Sequence, residues 1–359
     1  MSLTKQEISS TGRLTGRVVK IAGGCLLAGM TLLTACTDRS DEAAQFFLKG
    51  NLQLQKREYR EAIRYYTEAL EKKPDFADAY NNRGLAKFRN DDAEGALADY
   101  TRAIDTDPDF GPAYLNRAEA RLETGDAGGS LVDLQRIEKQ YADSTFYQLR
   151  LGDTHVRLDE PARAQIAYDR ALRLDPANVE ALTNRGALFF SQKAYEPARQ
   201  DIQKALQLNP KQDAALNNQS LLLAQAGNYA EALTYVDRAL SLRPTQPYYL
   251  NNKAYLLLRL NRPAEALPLV EQSIKLADGN AWAHRTLGIY YLNQKEPRRA
   301  VAAFRRAEQL DPSVDALYYY IGVAELANGQ REAACAAWAR GVQAGDPQAK
   351  AEQAAQCGK

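Results

Sequence analysis

Five asparagines, Asn82, Asn116, Asn184, Asn218 and Asn252, stand apart by multiples of 34 residues. Each falls in a stretch that reads as the middle of a helix, where asparagine is unfavourable because its short amide competes with the backbone. An amide both donates and accepts, so a row of them can pair with successive peptide groups of an extended ligand. The competing explanation is that asparagine is ordinary repeat vocabulary on a solvated face. A second set is aromatic: Tyr248, Tyr255, Trp282 and Tyr319, with Arg285 among them. Such rings anchor binding partners at low conformational cost, and they also stack on sugars; packing into a core is the alternative. Catalysis leaves little trace. There is no phosphate-cradling glycine loop, no zinc-binding histidine pair and no serine or cysteine set with a base. With only two histidines, His155 and His284, a multi-histidine metal or general-base site is hard to assemble. No enzyme activity, metal or cofactor is expected.

The elements that must position these groups begin after an N-terminal address. Met1 to Lys20 carries scattered positive charge, and Ile21 to Ala35 is a mostly apolar run ending in small residues. That run is shorter than the ~20 residues of a membrane span and suits the core of a secretory signal. Leu33-Thr34-Ala35-Cys36 resembles the lipobox of bacterial lipoproteins. The resemblance implies cleavage of residues 1–35, with Cys36 thioether-linked to diacylglycerol and acylated on its amine. An ordinary signal with a chance cysteine, or an uncleaved anchor, is the alternative. Residues 36–42 then read as a short tether to the membrane, and Thr37 in place of an aspartate favours, by the same resemblance, the outer membrane. Removing residues 1–35 leaves 42 basic and 44 acidic residues, so the formal charge moves from +1 to −2. Without a basic field, nucleic acid is not an expected partner.

Self-similarity organises the rest. At 359 residues the chain exceeds the ~250–300 at which one core stops growing, and nine units of 34 residues fill 43–348 without a slip. Position 8 of the unit is small, as in Gly50, Gly84, Gly152, Gly186, Gly288 and Gly322; positions 20 and 27 are mostly alanine. Position 24 is large, from Tyr66 and Tyr100 to Phe304 and Trp338, and position 32 is proline in six units. Two amphipathic helices per unit follow, packed closely through the small residues and cut to length by the proline. The pattern resembles the tetratricopeptide repeat. The resemblance implies an all-α fold, a right-handed superhelical solenoid of nine helix hairpins, with residues 349–359 as a C-terminal capping helix. In an exported compartment a bridge between Cys335 and Cys357 could staple that cap, contributing about 3 kcal/mol; two free thiols are the alternative, because spacing does not show that the sulfurs meet. The stretch from Cys335 through Asp346 also resembles the related Sel1-type repeat.

Two units depart from the pattern. Gly125, Gly128 and Gly129 surround the second helix of the third, and Pro268 falls inside the second helix of the seventh, so flexible joints are expected near 125–144 and 263–280, static kinks being the alternative. In the family, positions 2, 5, 6, 9 and 13 face the concave side. The five asparagines occupy position 6, an arrangement that resembles the ladder by which the superhelix of O-linked N-acetylglucosamine transferase grips peptide backbone. Tyr248, Tyr255, Trp282 and Tyr319 fall on the same face, whereas His155 and His284 sit at packing positions. The basic residues of dicarboxylate-clamp members are missing. The expected function is a membrane-anchored scaffold that binds an extended segment or helix of a cell-envelope protein partner; the alternative is a glycan- or peptidoglycan-binding lipoprotein that uses the aromatic third of the groove.

Overall fold

The computed structural model describes residues 27–358, with side chains from residue 39. Residues 1–26, most of the expected signal, lie outside the described residues, as does the side chain of Cys36. The described residues form nineteen helices and no strand. They are α1 (Leu27–Gln55), α2 (Tyr59–Lys72), α3 (Ala77–Arg89), α4 (Ala93–Thr106), α5 (Gly111–Glu123) and α6 (Ala127–Tyr141). Then come α7 (Thr145–Arg157), α8 (Pro161–Leu174), α9 (Val179–Ser191), α10 (Tyr195–Leu208), α11 (Asp213–Gln225), α12 (Tyr229–Leu242) and α13 (Pro247–Arg259). The chain continues through α14 (Pro263–Leu276), α15 (Ala281–Asn293), α16 (Pro297–Leu310), α17 (Leu317–Ala327), α18 (Arg331–Gln343) and α19 (Pro347–Cys357). They fall into two compact units, residues 1–113 and 114–359. In each, helices pair into hairpins and the hairpins stack as a superhelical solenoid.

The repeat pattern explains the packing. Ala62, Ala96, Ala164, Ala198, Ala232, Ala266, Ala300 and Ala334, all at position 20, are 0% exposed. Where position 8 is glycine, the large residue at position 24 fills the missing side chain's place. A Cβ on Gly288 would lie 2.4 Å from the ring of Phe304, and one on Gly322 2.2 Å from Trp338. The aromatic therefore reaches across to touch the first helix's backbone, so the two helices of a hairpin fit only as this pair.

One rule of the unit escapes composition. Position 15, in the turn joining the two helices, is left-handed in every hairpin: φ is positive at Arg57, Asp91, Gly125, Asp159, Lys193, Gly227, Asn261, Lys295 and Gly329. Six of these are not glycine, so each bears the steric cost of that conformation.

Within both expected joints the second helix is continuous, over 127–141 in one and 263–276 in the other. In α6 the carboxylate of Asp126 accepts from the amide of Gly129 at 2.8 Å, capping the turn that the glycines weaken. α14 runs through Pro268 without a break. Its ring and the residue four before it, Ala264, are both exposed, so the carbonyl left without an amide partner faces water. At the other end, α1 continues through residues 36–42, the stretch expected to act as a tether, which is helical; no glycine or proline interrupts Thr37 to Glu42. α19 starts at Pro347, two residues ahead of the expected cap, because Asp346 accepts from the amides of Gln348 and Ala349. A disulfide joins Cys335 on α18 to Cys357 on α19, with the Cα atoms 5.7 Å apart. Both cysteines pack beside buried Ala334, Trp338 and Ala349.

Candidate functional site

Within residues 114–359, arginines and aromatic rings converge on α13, α15 and α17. Arg285 on α15 is 7% exposed. Its guanidinium carbon lies 4.7 Å from the ring centre of Trp282 and 5.3 Å from that of Tyr255. Nη1 donates to the main-chain carbonyl of Asp315 at 2.6 Å. Nε is buried with no partner, Nη2 takes no hydrogen bond among the described residues, and no carboxylate there lies within ion-pair distance of the cation, on which Asp315 acts at longer range. Burial pulls Arg285 below the usual arginine value. Asp315, whose main-chain carbonyl takes that bond, has its own carboxylate 3.9 Å from the Lys193 ammonium.

Arg259, on α13, extends the patch. It is exposed, with its guanidinium 4.8 Å from the ring of Tyr229 and 6.0 Å from that of Tyr255. Tyr320 stacks on buried Phe304 at 5.8 Å, and Tyr319 meets Tyr320 edge-on at 5.0 Å. Burial, with Tyr255 nearby, pushes the Tyr320 hydroxyl above its ordinary value. Two cations and five rings thus share one bay. Ala316, at its border, is left-handed with φ +54°, and α17 begins two residues later than the 34-residue frame. That turn aims the Asp315 carbonyl at Arg285.

The structure unites Tyr255, Trp282 and Tyr319 in this bay. Tyr248 is 54% exposed at the start of α13, and no ring contact ties it to the others. The asparagines form a different feature. Asn82 Nδ2 donates to Asn51 Oδ1 at 3.0 Å and Asn184 Nδ2 to Asp153 Oδ1 at 2.9 Å. Asn218 Nδ2 reaches the Thr183 carbonyl at 3.4 Å, and Asn252 Nδ2 donates to Asn217 Oδ1 at 2.8 Å. Asn116 is half-buried and is not free. The donors of these four therefore tie each hairpin to the one before it. The carbonyl oxygens of Asn184 and Asn218 take no bond among the described residues, whereas that of Asn252 accepts from Asn251 at 3.3 Å.

The best-satisfied charges were not singled out from sequence. Arg83, Arg117 and Arg185 each grip the aspartate sixteen residues on, Asp99, Asp133 and Asp201, through both Nε and Nη2 at 2.7–2.9 Å. The signal was available: aspartate stands at position 23 only in the three units with arginine at position 7. Arg259 occupies position 13, a concave position of the repeat, so the period alone places it on the same face as Tyr255 and Arg285. His155 and His284 are buried, the first hydrogen-bonded to Glu160 at 2.7 Å and the second to the Asp278 carbonyl at 3.0 Å. No group of side chains suited to a metal ion occurs among the described residues, and no helix there is long and apolar enough to cross a membrane.

The family model described as Tetratricopeptide repeat matches residues 47–110, 84–144, 149–213, 217–281 and 285–350. The chain belongs to the tetratricopeptide repeat family. Tetratricopeptide repeats are protein–protein interaction scaffolds, and no enzymatic family is indicated. No curated sequence matches the chain. Among solved structures, the APC/C hetero-tetramer Cut9–Hcn1 is similar with a TM-score of 0.63 at 14% identity, over 88% of this chain and 76% of that one. The human IFIT1 dimer with m7Gppp-AAAA gives 0.54 at 16% identity, over 74% and 68%. At such identities the likeness concerns the tetratricopeptide fold alone.

Proposed function

We propose that the chain is an exported lipoprotein, held by lipid on Cys36 at the bacterial outer membrane, whose solenoid grips a segment of a cell-envelope protein. The observation that carries the binding part is the bay around Arg285, where a desolvated cation and exposed aromatic surface meet on neighbouring first helices. Tyr255, Trp282 and Tyr319 anchor the segment, Tyr248 extends the contact, and the free carbonyl oxygens of Asn184 and Asn218 accept from its backbone amides. The envelope part rests on Leu33-Thr34-Ala35-Cys36. A polysaccharide ligand is the weaker reading, because a neutral sugar would leave the buried Arg285 cation without a counter-charge.

A photo-crosslinking residue at Trp282, and separately at Tyr248, tests the binding part in intact cells. The expected result is one covalent protein adduct, identified by mass spectrometry, that is lost when both Tyr255 and Tyr319 are replaced by alanine. Absence of an adduct from both positions would refute the reading. Cys36→Ser is expected to move the protein from the membrane to the soluble envelope fraction.

A further inference from the structure

We propose that the Nε–Nη2 edge of Arg285 is a seat for a carboxylate of the bound partner, with Arg259 supplying a second positive charge at its rim. This rests on the protein-partner reading and adds the chemistry recognised. In Arg83, Arg117 and Arg185 that same edge closes on an aspartate through two parallel bonds. In Arg285 it is unfilled, although burial makes an unpaired cation costly. The rest of the guanidinium is already placed: Nη1 is fixed on the Asp315 carbonyl, and Trp282 and Tyr255 flank the group. A planar carboxylate completes the fork. Nε is covered, so a ligand that uses both nitrogens must displace a ring. Trp282, 38% exposed, is the one free to tilt. The rings on either side suit a carboxylate carried beside apolar groups.

The chain contains two tryptophans, Trp282 in the bay and Trp338 at 0% exposure in the last hairpin. Labelled with 5-fluorotryptophan and held in detergent, it gives a fluorine resonance for each. Titration with phenylacetate is expected to shift the Trp282 resonance saturably and leave Trp338 unmoved. Phenylacetamide, its neutral counterpart, should bind at least tenfold more weakly. Arg285→Gln should remove the charge preference, and Arg285→Lys should not restore it, since an ammonium lacks the fork. Equal response to the acid and the amide, or tighter binding of inorganic phosphate than of phenylacetate, overturns the proposal; should Arg285→Gln fail to fold, these comparisons on the unaltered chain decide. The same titration with acetyl-Phe-Asp-Phe-amide and with acetyl-Phe-Ala-Phe bearing a free C-terminus assigns the carboxylate to a side chain or a chain end. A Trp282 adduct in cells without any acid preference sinks this inference alone. An acid preference without an adduct sinks only the proposed function.

Discussion

Adding one methyl group at Gly288 should harm the protein, whereas adding the same group at Gly128 should help it. At Gly288 the new Cβ would lie 2.4, 2.5 and 2.7 Å from three atoms of the Phe304 ring. Carbon atoms in good contact stand about 3.5–4.0 Å apart, so the ring must retreat by about 1 Å. Phe304 has nowhere to go: it is 0% exposed, stacked on Tyr320, and shares a core cluster with Ala300 and Ala307, also at 0%. Overpacking of this kind costs about 1–3 kcal/mol, against which alanine regains about 1 kcal/mol of helix propensity. A net loss of about 0–2 kcal/mol follows for Gly288→Ala. Gly128, in the first turn of α6, has nothing within 4 Å of the added atom. There only the propensity gain operates, about 0.5–1 kcal/mol. Urea unfolding followed by circular dichroism should order the midpoints as Gly128→Ala, parent, Gly288→Ala. Because a repeat array need not unfold in one step, hydrogen exchange over α15 to α17 is the second readout and should speed up only in Gly288→Ala. A midpoint for Gly288→Ala at or above that of Gly128→Ala would refute the claim that hairpin geometry is set by the ring against the backbone.

Lys295, left-handed at φ +61°, should gain about 0.5–1 kcal/mol on replacement by glycine, while Gly227→Ala at φ +81° should lose a similar amount, both read from thermal melts. Arg185→Ala strands Asp201, whose side chain is 9% exposed, and should cost about 2–3 kcal/mol, discounted from ~3–5 for a fully buried pair because Arg185 is itself partly solvated. The double variant Arg185→Ala/Asp201→Ala should recover part of that loss in chemical unfolding. Burial pushes the hydroxyls of Tyr66 and Tyr147 up to about 12 from an ordinary 10. Between those values the unfolded chain releases protons that the folded chain keeps, so the stability present below pH 10 should fall as pH rises toward 12, seen as tyrosinate absorbance appearing together with loss of helix. Reduction of the Cys335–Cys357 bond, which closes a span of 22 residues, should lower the stability of α19 by about 3 kcal/mol and accelerate its amide exchange ahead of the other helices.

Residues that repeat were readable in advance because a period reports a position that every hairpin needs. Small residues at 8, 20 and 27 and proline at 32 specify close packing and helix length before any coordinate is known. The left-handed turn at position 15 was hidden, since arginine, aspartate, lysine and asparagine stand there as readily as glycine and the backbone alone imposes the conformation. The asparagine row shows a different limit. Its spacing places it on one face, but whether an amide serves a ligand or the neighbouring hairpin depends on what lies 31 or 35 residues upstream: Asn51, Asp153, Thr183 and Asn217 in these four cases. Pro268 is a related case. Its cost depends on whether water reaches the freed carbonyl, and Ala264, which carries it, is an exposed residue.

The aperiodic features gather in one place, and that coincidence argues for function more strongly than any single side chain. Arg285 is a cation with no recurring carboxylate partner, where arginines at position 7 have one. At the start of the next hairpin, Ala316 bears a left-handed backbone without being glycine, and α17 starts two residues late. A solenoid under selection for stability alone could follow its own pattern here: start α17 at residue 315, place a short polar residue at 285, and avoid both the strain and the unpaired cation. Strained backbone of this kind costs about 1–3 kcal/mol and persists where the surroundings hold it. Here the strained turn directs the Asp315 carbonyl onto Nη1, which fixes the guanidinium plane and leaves its other edge without a hydrogen bond. The departure from the repeat thus orients one charge, and an oriented, unsatisfied charge among exposed rings is what a scaffold needs to tell one partner segment from another.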